Sequence, residues 1–335
     1  MWIGSKFLLL VMLAPVIVFT YNRPWHIEKT LQALSDNELA DQTELFIFCD
    51  GPKKDASEEQ LKKIEGTRSV VRKKQWCKEV HVIESEINKG LRSSIISGAD
   101  QVIRQFGKVI VLEDDLETSP YFLKYMNAAL DKYQNYGGVF SISAQSYVNP
   151  KDFPKDYPYD VYAYPTHLPT GWATWIDRWN VVDWDIDKRL AKRLENEPYM
   201  RDAFMRGGED LYFQSLKKRL NGLDVWSVCF SLAHFKHHAV SILPVVSYIH
   251  NTGFDGSGVN SGHQETSMLN HNYYVDAKDN PRLLDVVYED RRIVNLVYSS
   301  SVMHRRPFIK RIINRIGCIV TKKSNFILKG EVYKL

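Results

Sequence analysis

The stretch Val109-Ile110-Val111-Leu112-Glu113-Asp114-Asp115-Leu116-Glu117-Thr118-Ser119-Pro120-Tyr121-Phe122 sets four apolar residues against three consecutive carboxylates and, soon after, a proline. A short apolar run rich in β-branched residues, bounded by polar ones, makes a buried strand. Three adjacent carboxylates at the mouth of such a strand repel one another. A hard divalent cation, which takes oxygen ligands and phosphate oxygens together, relieves that repulsion. The same acids also suit the start of a following helix, whose N-terminus favours negative charge. Both readings are open on the residues alone.

Outward from this stretch, further short apolar runs occupy 16–20, 45–49, 80–83 and 139–143. Between them, 25–35, 57–73, 91–106 and 120–136 carry apolar residues at helical spacing, with Pro or Ser near several starts. The resulting βαβαβαβαβ alternation predicts an α/β fold: a mostly parallel twisted sheet flanked by helices. Such sheets bind ligands at the carboxyl ends of their strands. The residues just past four of the runs are polar: Thr20-Tyr21-Asn22-Arg23, Asp50-Gly51-Pro52, Asn88-Lys89-Gly90 and Glu113-Asp114-Asp115. Neither G-x-G-x-x-G nor G-x-x-x-x-G-K-[ST] occurs, so neither glycine-rich phosphate cradle is available.

With 335 residues, 44% hydrophobic and 25% charged, the chain is of ordinary globular composition, which excludes wholesale disorder and a multi-span membrane protein. A net charge of +4 is too mild for a dedicated nucleic-acid binder. Cys49, Cys77, Cys229 and Cys318 lie far apart with no C-x-x-C pair, and no N-x-S/T sequon occurs, so a reducing compartment is expected. The apolar run 7–19 divides into a lead-in, residues 1–13, and a first strand; a signal-peptide core is the competing reading. Residues 146–186 are rich in proline, tyrosine and tryptophan and read as loop, followed by a helix at 186–195 and a glycine-rich loop at 253–258.

The strand followed by acids, the Asn22-Arg23 turn and the Asp50-Gly51 turn resemble the nucleotide-sugar half of a GT-A glycosyltransferase. More narrowly, residues 109–122 are similar to the E-D-D-L-E-x-x-P-x-F segment of the N-acetylglucosaminyltransferase I-like group and related bacterial sugar transferases. The resemblance implies a GT-A-like, Rossmann-like domain at 14–300, with a nucleotide-sugar half at 14–145 and an acceptor and catalytic half at 146–300. It implies that Asp115 ligates Mn2+ or Mg2+, that Glu113 and Asp114 lie around the ribose and base, that Asp50 reads uracil, and that Arg23 approaches the diphosphate. Thr20, Asn22, Asn88 and Arg92 join the nucleotide-sugar site by position, the last two with a solvated turn as the alternative.

In the same likeness, Asp210 of Gly208-Glu209-Asp210-Leu211 supplies the base that takes the acceptor hydroxyl's proton, with Glu209 in reserve. An acidic helix cap accounts for the pair equally well. Trp172 of Gly171-Trp172-Ala173-Thr174-Trp175 offers a ring on which a sugar face can stack, although tryptophan-rich runs also build cores. His250 is either an extra metal ligand or a structural residue. The expected reaction is metal-dependent, inverting transfer from a UDP-linked sugar, of the UDP-N-acetylglucosamine kind, to a hydroxyl of a glycan or lipid-linked glycan. A retaining or nucleotidyl transferase and a non-catalytic carbohydrate-binding protein are the alternatives, and no nucleic-acid partner is expected. From Arg305 onward nine Lys or Arg residues stand against one acid, Glu331, and isoleucines recur at helical spacing. This basic amphipathic tail, 301–335, is expected either to touch an anionic membrane surface or to pack on the domain. A cytoplasmic location, peripheral at the inner face of the plasma membrane, goes with the first reading.

Overall fold

A computed structural model describes residues 12–208, 215–223, 225–256 and 276–300. The first half alternates as expected: β1 (Val16–Thr20), α1 (Pro24–Ser35), β2 (Glu44–Cys49), α2 (Glu58–Val71), β3 (Glu79–Glu84), α3 (Leu91–Phe106) and β4 (Lys108–Glu113). A three-residue strand β5 (Leu116–Thr118), α4 (Phe122–Tyr133) and β6 (Val139–Ser143) follow. Local chemistry sets several boundaries. Ser57 and Gln60 form a reciprocal capping box that starts α2, and Gly107, with φ of 75°, ends α3 in the left-handed conformation glycine adopts at no steric cost.

The second half holds β7 (Val161–Tyr164), β8 (Trp172–Trp175), α5 (Ile176–Trp179), α6 (Lys188–Asn196), α7 (Pro198–Phe204), α8 (Lys217–Leu220), α9 (Ser227–Lys236), β9 (Val240–Pro244), β10 (Ile249–Asn251) and α10 (Arg291–Ser300). The eight-stranded sheet runs β3-β2-β1-β4-β8-β6-β9-β7. Pairs β1·β2, β1·β4, β2·β3 and β6·β9 are parallel, whereas β8 is antiparallel to β4 and β6, and β7 is antiparallel to β9. Residues 172–175, expected as loop, are therefore a central strand.

The two-residue period of each strand divides the core. Val16, Val18, Ile110 and Leu112 face one side, against Ile27 and Leu31 of α1 and Phe122, Met126 and Leu130 of α4. Ile17, Phe19, Val109 and Val111 face the other, against Ile95, Ala99 and Val102 of α3 and Phe230 of α9. A small cluster, Tyr162, Tyr164 and Leu243 with Ile293 and Val297, fastens α10 over the β7 edge. Among the described residues no helix is long and apolar enough to cross a membrane. Cys49, Cys77 and Cys229 are buried free thiols.

Candidate active site

β1 and β4 are parallel neighbours in the register Phe19↔Glu113, so Thr20 to Arg23 and Asp114-Asp115 leave the sheet side by side at its carboxyl edge. Arg23 is the residue before α1, which Pro24 opens, and its side chain makes no cap hydrogen bond. Its guanidinium turns to β4 instead: Nη2 donates to Asp114 Oδ1 and, at 3.0 Å, to Asp115 Oδ2. Thr20 Oγ1 donates to Asp114 Oδ2 at 3.0 Å, and Thr30 Oγ1, from within α1, donates to the Asp114 carbonyl at 2.9 Å. Asp114 is thus drawn inward and is 4% exposed, while Asp115 stands at the mouth.

Burial opposes the charge of Arg23, but the carboxylates of Asp114 and Asp115 outweigh it and raise the guanidinium pKa further. For Asp114 the balance is reversed: burial raises its pKa against the lowering effect of Arg23. Burial, followed by repulsion from Asp115 and Asp114, pushes the Glu113 carboxyl up to about 8. At neutral pH the cluster therefore sheds charge through Glu113 and balances much of the remainder through Arg23.

A two-stranded ribbon, β5·β10, carries the loop after Asn251 back over the acids. Thr252 donates to the Asp115 carbonyl twice, from its backbone N–H at 2.8 Å and its hydroxyl at 3.1 Å. A Cβ at Gly253 would lie 2.1 Å from Asp115 Oδ2, so any larger residue there must displace that carboxylate or the loop. Two residues on, Asp255 Oδ2 lies 3.1 Å from Nε2 of buried His26 in α1. His250 pairs across the ribbon with Glu117. Burial lowers the pKa of His250, a shift that Glu117 opposes and Lys29 reinforces.

The other expected site residues are placed as follows. Asn22 is half-buried in the turn beside Arg23. Asp50 accepts three backbone N–H groups: Gly51 and Lys89 at Oδ1 (2.9 and 2.8 Å) and Gly90 at Oδ2 (3.1 Å). Asn88 Nδ2 donates to the Gly51 carbonyl at 3.0 Å, and Arg92 Nη2 donates to the Trp184 carbonyl at 2.6 Å. These three bind the protein's own loops together at the same edge. Trp172 departs from the expectation of a sugar platform: it is 1% exposed, stacked on Trp179 at 5.9 Å and packed against Trp226 at 5.4 Å. The strand that carries it is central, so both of its faces are covered. Glu209 and Asp210 lie outside the described residues; Gly208, with φ of 120°, turns the chain just before them. The tail 301–335 also lies outside the described residues.

The residues fit a divalent cation held through Asp115, a hard carboxylate at the mouth. Beside it Arg23 Nη1 is buried without a hydrogen-bond partner, a donor suited to a phosphate oxygen. Among the described residues the three side chains close enough to share an ion are Glu44, Glu79 and His81, at the other end of the sheet on β2 and β3. An ion at Asp115 would therefore complete its shell with substrate phosphates and water, as Mg2+ commonly does.

Residues 16–178 match the model of the glycosyl transferase family 2. A curated relative, an alpha-1,3-mannosyl-glycoprotein 2-beta-N-acetylglucosaminyltransferase of Arabidopsis thaliana, is 28% identical over 109 residues, 30% of this chain and 24% of that protein. The chain thus matches about a quarter of the length of that relative. Similar solved structures include the mannosyltransferase PcManGT of Pyrobaculum calidifontis in complex with GDP-Man and Mn2+ (14% identity, 66% of this chain and 69% of that one, TM-score 0.38). Another is S. aureus TarS (15% identity, 71% and 36%, TM-score 0.37). Residues 16–178, which hold most of the parallel sheet and its acid-lined carboxyl edge, are thus similar to a glycosyltransferase domain of family 2, the similarity expected of a GT-A fold.

Proposed function

We propose that the protein transfers a sugar, UDP-linked and of the N-acetylglucosamine class, to a hydroxyl of a glycan or lipid-linked glycan with inversion at the anomeric carbon. The observation that carries this reading is the Arg23–Asp114–Asp115 cluster at the adjoining ends of β1 and β4. It places one anion-binding group and one mouth-facing carboxylate where an open α/β sheet receives ligands. Asp115 would hold Mn2+ or Mg2+, which when bound offsets the charge that grows on the departing diphosphate. Arg23, with its unpartnered Nη1, binds a phosphate oxygen. Asp114, fixed by Thr20 and Thr30, orients Arg23 and keeps the strand end rigid. Asp210, or Glu209 beside it, takes the proton of the acceptor hydroxyl as that oxygen attacks. The basic tail brings the domain to an anionic membrane surface at the cytoplasmic face, where a lipid-linked acceptor resides.

The test is release of free nucleotide from a panel of nucleotide-sugars, with and without Mn2+. One donor is expected to be turned over, and Asp115→Ala to reduce the rate by about 100-fold or more, as loss of a charge-stabilising group does. Asp210→Asn should abolish transfer to the acceptor. Undiminished release by Asp115→Ala would refute the metal role, and full transfer by Asp210→Asn would favour a retaining mechanism.

A further inference from the structure

The Arg23 guanidinium does two jobs with one nitrogen: Nη2 donates both to the deeply buried Asp114 and, at 3.0 Å, to Oδ2 of Asp115, the carboxylate that faces the mouth. That oxygen is also the atom against which Gly253 is packed. The side chains of Arg23 and Asp115 are each only 16% exposed, so the attraction between them is weakly screened by water. A divalent cation at Asp115 must compete with this guanidinium for the carboxylate and tolerate a positive charge beside it. The second guanidinium nitrogen, Nη1, is buried and unpartnered, so Arg23 has a donor to spare for an anion.

From this geometry, and resting on the nucleotide-sugar reading above, we infer that Arg23 is an internal counter-ion that keeps Asp115 from divalent cations until a diphosphate engages its guanidinium. A diphosphate supplies two to three negative charges. It would offer Arg23 an alternative partner and free Oδ2 of Asp115, so that the carboxylate would be open to a cation and the guanidinium charge beside it offset. Asp114 retains its hold on Arg23 throughout, so the motion required is a small pivot of one guanidinium. Metal and nucleotide are therefore strongly cooperative, and by linkage each raises the affinity of the other by the same factor. Arg23 acts here as a positioning residue.

The experiment counts free Mn2+ by its electron paramagnetic resonance signal in titrations of the full chain, with and without saturating UDP, corrected for Mn2+ bound by UDP in solution; GDP replaces UDP if UDP does not bind. Wild type should bind Mn2+ at least tenfold more tightly with nucleotide than without. Arg23→Gln should bind Mn2+ alone at least tenfold more tightly than wild type, with the nucleotide effect reduced below threefold. Arg23→Lys keeps a charge opposite Asp114 but has a shorter reach and a single nitrogen, with no spare donor in the place of Nη1 for an anion, and should fall between them; it decides the matter if Arg23→Gln does not fold. Equal Mn2+ affinity of wild type and both variants, or an unchanged nucleotide effect in them, overturns the inference while leaving the nucleotide-sugar reading intact. Failure of UDP and GDP alike to bind overturns both.

Discussion

Asp50 illustrates how a residue can sit at the expected edge and serve the protein first. Its carboxylate collects the N–H groups of Gly51, Lys89 and Gly90, and a Cβ at Gly51 would lie 2.5 Å from the Ile87 backbone, so the β2 and β3 loops are locked together there. Asp50→Ala is expected to cost about 1 kcal/mol in urea denaturation because three backbone N–H groups, partly buried to exposed, lose a shared carboxylate acceptor. If Asp50 also reads a base, the variant loses nucleotide affinity beyond that of a variant at Asn88. That Arg23, Asp114 and Asp115 meet at one edge was legible in the sequence because polar residues that directly follow apolar parallel strands converge at the carboxyl end of the sheet. Thr30 was not, since a threonine within a helix carries no mark that its hydroxyl reaches the Asp114 carbonyl 84 positions away.

At the level of elements, the five long parallel strands and α3 were readable from apolar runs and helical spacing; α3 spans Leu91–Phe106 as expected. The short strands were hidden. β8 is four residues long among prolines and aromatics, is buried on every residue, and so shows neither alternation nor a turn signal. The β5·β10 ribbon is three residues on each side and depends on a partner more than a hundred positions distant. Its loop makes a sharp prediction. Gly253→Ala forces either Asp115 or the loop to move and should lower nucleotide release at least tenfold, with a fall in melting temperature of a few degrees, corresponding to about 1–2 kcal/mol. Normal turnover by this variant would show that the loop yields without disturbing Asp115.

For the whole molecule, the most unusual polar feature is buried far from solvent. Ser141 Oγ meets Ser241 Oγ at 2.7 Å, His167 Nδ1 at 3.2 Å and His234 Nε2 at 3.3 Å, and His234 Nδ1 bonds the Phe230 carbonyl at 2.9 Å. Burial drives both imidazoles toward the neutral form, His167 well below its ordinary range and His234 down to about 4. Because these folded-state pKa values are depressed, the unfolded chain binds the additional protons as the pH falls. Stability is therefore complete above about pH 6.5 and is lost progressively toward pH 4, by on the order of 3 kcal/mol for His234 alone. Urea midpoints at pH 7 and pH 4.5 measure this, and a flat profile would mean that the two rings are protonated when folded.

The central position of β8 also governs how the chain can be made. β4 ends at residue 113, yet one of its two flanking strands begins only at residue 172. During synthesis β1 to β4 emerge with one side of β4 lacking its backbone partners, and the acids at its tip are carried on an incomplete sheet until β8 arrives to close it. Completion waits for a segment well downstream, so a nascent chain halted before residue 175 presents an adhesive edge.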